Sequence, residues 1–246
     1  MDPNATPAVL AALAPTGRMR AAINFGNPVL AQRDPATGDA RGVSVDIARE
    51  LGDRLGVGVD LVTFDAAGKV FAALAEDAWD VAFLAIDPKR ATEIDFTAPY
   101  VIIEGTYMVP AGSPLQTVDD VDRPGVRIAA GSGSAYELYL ARTLRHAQLV
   151  RAPTGPEAIE MFLRDGLEAA AGVKSPLVAF ARGRTDVRVM DGRFMAIEQA
   201  MGTPKGRAAG AAYLRGTIEA LKASGFVAAG LARSGQHDAV VAPAVR

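Results

Sequence analysis

Between Arg20 and Ile86 the chain alternates strand-length apolar runs with helical stripes, and this alternation restricts the fold more than any other feature. Arg20 to Phe25 reads as a first strand closed by Gly26-Asn27-Pro28, and Val43, Ile47, Ala48, Leu51 and Leu55 then recur at helical spacing up to Gly56. Ser44 is placed to cap that helix. Val59 to Phe64 is a second strand, Lys69 to Glu76 a second helix, and Trp79 to Ile86 a third strand. Strand, helix, strand, helix, strand builds a parallel sheet with right-handed crossovers, so the fold class is α/β.

The pattern restarts further on. Val101 to Val109 is apolar and β-branched and stops at Pro110-Ala-Gly-Ser-Pro114, the strongest linker signal in the chain, where a domain crossing is expected. Thr117 to Asp122 is a short acidic helix or turn. Strands follow at Val126–Ala130, Leu149–Ala152 and Leu167–Val173, with helices from Gly131 to about His146, Pro156–Arg164 and Ser175–Arg182. Val187–Met190 and Phe194–Met201 complete the strands, and Gly202-Thr-Pro-Lys-Gly206 breaks the pattern. Helices Arg207–Ser224 and Phe226–Arg233 lead to a tail read as frayed from Ser234. Residues 1 to about 18 read as a Pro- and Ala-rich arm, with room for one short helix.

Half of the 246 residues are hydrophobic, enough to bury the core of one large domain or two lobes. The net charge of −2, with Lys and Arg scattered, lacks the footprint of a nucleic-acid binder, so no nucleic-acid partner is expected. The apolar run Ala8–Ala14 is too short to span a bilayer and has no basic residue before it, so neither direct membrane insertion nor a secretory signal is read here. Absence of Cys excludes disulfides and thiolate metal sites. The two histidines, His146 and His237, lie far apart, and the spacing of Asp, Glu and His suggests no metal site and no cofactor. With no G-x-S-x-G elbow and no HExxH, a catalytic role has little support.

The candidate site begins where the third strand ends. Asp87 reads as a helix N-cap and Pro88 as the first helical residue, which places Arg90 in a first turn where the macrodipole disfavours cations. Either Arg90 pairs with Glu93 or Asp95 at the surface, or it clamps an anion at the helix start. Ala85 and Asp87 join it as candidate ligand-binding positions. Asn24 and Asn27, beyond the first strand, face the crevice expected at strand ends or simply form the turn. Ser134 and Glu137 make an S-x-x-E capping box, and Ser132, Gly133 and Ser134 offer a second anion-friendly helix start.

These residues resemble a known family, the periplasmic solute-binding proteins of ABC importers for polar amino acids, family 3, with the type II two-lobed fold. Gly42-Val-Ser-Val-Asp-Ile-Ala-Arg-Glu-Leu51 is similar to its G-F-D-x-D-L-A-x-x-L segment. Trp79-Asp80, Asp87-Pro-Lys-Arg90 and Asp95-Phe-Thr-Ala-Pro-Tyr100 resemble its Arg-bearing motif and the D-F-S-x-P-Y signature that follows, and Gly131-Ser-Gly-Ser134 its second-lobe helix start. The resemblance covers about residues 19–233. It implies lobe 1 from 19–109 and 203–246, lobe 2 from 110–202, and two hinge strands, with crossings near Tyr107–Ser113 and Glu198–Gly202. It also implies that Arg90 grips a ligand α-carboxylate in the inter-lobe cleft, aided by Ser132 to Ser134.

The implied function is non-catalytic binding of a small carboxylate, an amino acid or related organic acid, by a monomer serving an ABC importer permease. A periplasmic location follows from the resemblance, while a cytoplasmic one stays open. The departures are Val173 where family members place an acid for the ligand's ammonium, Ala67 near an expected stacking aromatic, and Ser44 in place of an acid. Lys174 either meets a second anionic group of the ligand or is an ordinary surface residue. The alternatives on the same scaffold are an enzyme similar to the cyclohexadienyl dehydratases and a cytoplasmic ligand-sensing domain.

Overall fold

The computed structural model describes residues 2–245, so the terminal residues 1 and 246 assigned above to the arm and to lobe 1 lie outside it. The chain divides into two compact units. The first holds the residues up to Ile102 and those from Glu198, and the second runs from Ile103 to Ile197.

In the first unit, helix α1 (Pro7–Leu13) precedes strand β1 (Arg18–Asn24), a two-residue ladder of β2 (Gln32–Arg33) with β3 (Ala40–Arg41), helix α2 (Val43–Leu55) and strand β4 (Gly58–Phe64). Helix α3 (Ala67–Ala72), strand β5 (Val81–Ala85) and the long β6 (Ile94–Pro110) follow. β1 pairs in parallel with β4 and β5, the arrangement expected from the strand-helix alternation. One face of this sheet closes over Ala22, Val70, Trp79, Ala82, Leu84 and Ile94. The indole N–H of Trp79 donates to the Val70 carbonyl at 2.9 Å, so the largest buried side chain also satisfies its polar atom.

The second unit contains the rest of β6, then β7 (Arg127–Gly131), α4 (Ala135–Thr143), β8 (Gln148–Ala152), α5 (Gly155–Arg164), β9 (Ala169–Val173), α6 (Lys174–Ala181), β10 (Val187–Val189) and the start of β11 (Met195–Pro204). β7 lies parallel to β8 and β9, while β6 runs antiparallel to β9 with Gly105 opposite Val173. Met108, Ala129, Phe162, Ala170 and Leu177 form its core. β11 returns the chain to the first unit and pairs antiparallel with β5, and α7 (Ala208–Ala223), α8 (Phe226–Arg233) and β12 (Val240–Val241) complete that unit.

The units change over at Ile102/Ile103 and Ile197/Glu198, ahead of the boundaries at 109/110 and 202/203 drawn from sequence. The reason is that β6 is one unbroken 17-residue strand, so the Pro110–Pro114 turn marks its far end within the second unit. Gly202 to Pro204 likewise continue β11.

The N-terminal arm contains the one short helix that its sequence allowed, whereas the C-terminal tail is not the frayed segment expected. Thr6 caps α1, and α1 packs on α7, where a Cβ on Gly210 would lie 2.7 Å from Leu13 Cδ2. At the other end β12 pairs with Val101 and Ile102 of β6. The nearly buried Lys222 ammonium donates to the carbonyls of Pro243 at 2.9 Å and Pro99 at 3.2 Å and pairs with Glu219 at 2.7 Å.

Asp80, wholly buried, ties the unit together. Its carboxylate accepts from the Arg20 backbone N–H at 2.9 Å, from Arg20 Nε at 3.0 Å and Nη2 at 2.9 Å, and from Arg207 Nη1 at 2.7 Å. Arg207 also donates to the Ala12 carbonyl, which fixes the end of α1. Although burial raises the carboxyl pKa, the guanidinium hydrogen bonds outweigh it and hold the group below its ordinary value.

Candidate functional site

Arg90 follows β5 by five residues, but the segment is not the start of an α-helix. A three-residue turn of 3-10 helix, Arg90–Thr92, stands there, and Ile94 already begins β6. A helix macrodipole is therefore absent, and the expectation of an anion site built on a helix N-terminus is corrected to one that rests on the guanidinium itself. Asp87 still organises the turn: its Oδ1 accepts from Lys89 N–H at 2.8 Å and its carbonyl from Ala91 N–H at 2.9 Å.

Arg90 is among the largest fully buried side chains, at 1% exposure, which rules out the solvated surface pair with Glu93 or Asp95. Its Nη1 donates to the Ala85 carbonyl at 2.9 Å, so the end of the strand aims the planar head. Burial pushes its pKa down to about 10, and the nearby Asp87 charge acts in the opposite sense, so Arg90 remains a cation at neutral pH. Ala85, Asp87 and Arg90 are thus brought together. The first orients the guanidinium through its carbonyl, and the second supports the charge.

Asn24 and Asn27 perform turn chemistry. Asn24 Oδ1 accepts from Gly26 N–H at 2.9 Å, and Asn27, nearly buried, accepts from Val29 N–H at 3.3 Å. Ser44 does not cap α2, whose N-cap is Gly42 at φ 116°. Its hydroxyl is buried against the Tyr100 hydroxyl at 3.0 Å, which links α2 to the start of β6.

In the second unit Ser132, Gly133 and Ser134 form the turn between β7 and α4. Ser134 caps α4 by accepting from Glu137 N–H at 3.1 Å. The reciprocal bond of a capping box is displaced by one residue, because Glu137 Oε2 accepts from Gly133 N–H at 3.1 Å. Arg151 Nε holds the other oxygen of Glu137 at 2.7 Å. Gly133 takes φ +67°, the left-handed region that favours glycine. The helix ends at Thr143, short of the end expected near His146, whose backbone N–H donates to Asp122 at 2.8 Å.

Lys174 opens α6, and its ammonium pairs with Glu104 Oε2 at 3.0 Å. Glu104 Oε1 accepts from Arg193 Nη1 at 3.2 Å. Glu104 and Arg193 were not reached from sequence, although a lone Glu in the apolar run Val101–Val109 is the signal that could have found the first. Tyr107, Phe194 and Tyr139 form an adjoining aromatic cluster, with ring centroids 4.5 Å apart for the first pair and 6.0 Å for the second. Among the described residues no group of His, Cys, Asp and Glu is placed to hold a metal ion, and no helix is long and apolar enough to cross a membrane.

Solved structures share this fold. The solute receptor for L-cysteine of Neisseria gonorrhoeae matches with a TM-score of 0.79 at 21% identity, covering 92% of this chain and 93% of that one. An amino acid ABC transporter substrate-binding protein of Streptococcus pneumoniae, bound to L-arginine, matches at 0.76 and 19%, covering 91% and 96%. An ancestral amino acid-binding protein, a precursor of cyclohexadienyl dehydratase, matches at 0.75 and 19%, covering 91% and 97%. These are two-lobed periplasmic-binding-protein structures, and that is the fold of this chain. No curated protein matches at a significant level. The model of the bacterial extracellular solute-binding proteins, family 3, matches residues 20–234, and the chain belongs to that family.

Proposed function

We propose that the chain binds a small carboxylate-bearing solute, an amino acid or a related organic acid, without transforming it, and hands it to an ABC importer permease. The observation that carries this reading is Arg90: a buried cation oriented by the Ala85 carbonyl at the end of a parallel strand. A guanidinium is the side chain best matched to a carboxylate, and one already held in orientation has less freedom to lose on binding. Ser132, Gly133 and Ser134 are proposed as additional ligand contacts on the second unit. The family's extracellular setting is consistent with a role in import. Thermal unfolding in the presence of a panel of amino acids and organic acids tests the reading. A ligand at 100 times its Kd adds about 2.7 kcal/mol, which for a chain of this size raises Tm by roughly 5–10 °C. A flat response to every carboxylate would overturn it.

The second reading is a dehydratase-like enzyme, favoured by the likeness to the cyclohexadienyl dehydratase precursor. Such an enzyme requires a general acid in reach of the substrate. The β9 strand end carries Val173, and the adjacent acid, Glu104, is held by two cations. Turnover of prephenate or arogenate would establish this reading over the first.

A further inference from the structure

The C-terminal tail is held by three separate fastenings, all within the first unit. β12 runs antiparallel to β6, with Val240 opposite Ile102 and Val241 opposite Val101, and one residue on the Ala242 backbone N–H donates to the Tyr100 carbonyl at 3.0 Å. The Lys222 ammonium, on a side chain only 3% exposed, donates to Pro99 of β6 and to Pro243 of the tail, so one buried cation pins both segments. Glu219 pairs with that ammonium and also accepts from the Val245 backbone N–H at 3.2 Å.

The stretch of β6 fastened in this way is the last of the first unit, since Ile102 closes that unit and Ile103 opens the second. Beyond the boundary β6 is fastened again, by its ladder with β9, which begins at Gly105 opposite Val173. The two ladders leave Ile103 and Glu104 between them, and Glu104 is itself held within the second unit by Lys174 and Arg193. Hinge motions are absorbed by a few residues at the ends of regular elements. Every further residue released from its ladder adds backbone freedom to such a crossing.

We propose that the tail is a hinge strap: the segment 239–245, pinned by Lys222, fixes β6 as far as Ile102 and confines the bend of this crossing to Ile103 and Glu104. Without the strap the free stretch reaches back to Pro99, and the two units move with greater amplitude. The inference does not depend on what the chain binds.

The test compares the full chain with a chain ending at Asp238 and with the point variants Lys222→Met and Ala242→Pro, the second of which removes the N–H given to Tyr100. Hydrogen exchange reports on the strand. Spin labels on Glu76→Cys and Glu160→Cys, one in each unit of a chain that has no Cys of its own, report on the motion of the units. In the shortened chain, exchange across residues 100–104 should be about tenfold faster while β1 and residues 106–108 keep their protection, and the distribution of label distances should broaden. The two point variants should move both readouts in the same direction by a smaller amount. Unchanged exchange across residues 100–104, or an unchanged distance distribution, would overturn the inference. So would a loss of protection that spreads equally through β1, because the tail would then be an ordinary stability element. If the shortened chain does not fold, the point variants decide: wild-type readouts in both overturn the inference.

Discussion

Replacing Asp80 by Asn tests how the first unit is held together. The carboxylate is fully buried and accepts four hydrogen bonds, three from Arg20 and one from Arg207. Removing one member of a buried, hydrogen-bonded ion group costs about 3–5 kcal/mol, because the remaining charge is left in a poor medium. Here Arg20 and Arg207 keep 22% and 21% side-chain exposure, so water recovers part of the loss, and the low end, about 3 kcal/mol, is the working figure. For a chain of this length that corresponds to a Tm lowered by roughly 6–12 °C.

The pH dependence has a definite sign. Asp80 is held below its ordinary value of 3.8, so its contribution is complete above that pH and is lost as pH falls through the lower folded-state value. Wild type and Asp80→Asn should thus differ most at neutral pH and converge in acid. Thermal unfolding followed by circular dichroism between pH 7 and pH 3 measures both effects. A shift of less than 2 °C at pH 7, or a gap that widens in acid, would refute the reasoning.

Other outcomes follow from single contacts. Lys222→Met removes the charged donor to Pro99 and Pro243, a loss of about 1.5–3 kcal/mol; hydrogen exchange at Val240–Ala242 should accelerate while the core of β1 stays protected. Gly131→Ala would set a Cβ 2.8 Å from Gly155 N and 3.0 Å from Thr154 C, both backbone atoms; it should destabilise the second unit by about 1–3 kcal/mol, measurable by urea unfolding. Glu137→Gln weakens both the Gly133 N–H bond and the Arg151 pair, and should lower affinity for any carboxylate that uses the α4 turn, read by calorimetry, with little change in far-UV dichroism.

The parallel lobes were legible because they depend on local signals: strand-length apolar runs, helical stripes and glycine stops recur in the order that the sheets realise. The Arg90 motif was legible as a motif but misread as a helix start, since Asp87 and Pro88 favour one turn as readily as several and only the strand from Ile94 decides that the turn stops. Non-local partners were out of reach. Arg207 lies 127 residues from Asp80, and Glu104 lies 70 and 89 residues from its two cations. The tail read as frayed for the same reason, because its order comes from a ladder with β6 and from the buried Lys222.

The central claim is that Arg90 grips a ligand carboxylate. It is tested most directly by titrating wild type, Arg90→Lys and Arg90→Gln with the acids that stabilise the wild-type chain and with their methyl esters. The account predicts that the wild-type chain binds free acids and not esters, that Arg90→Lys binds weakly because one ammonium cannot reproduce the bidentate fork, and that Arg90→Gln loses binding while keeping its fold. Retained affinity in Arg90→Gln, or esters binding as tightly as acids, would contradict it.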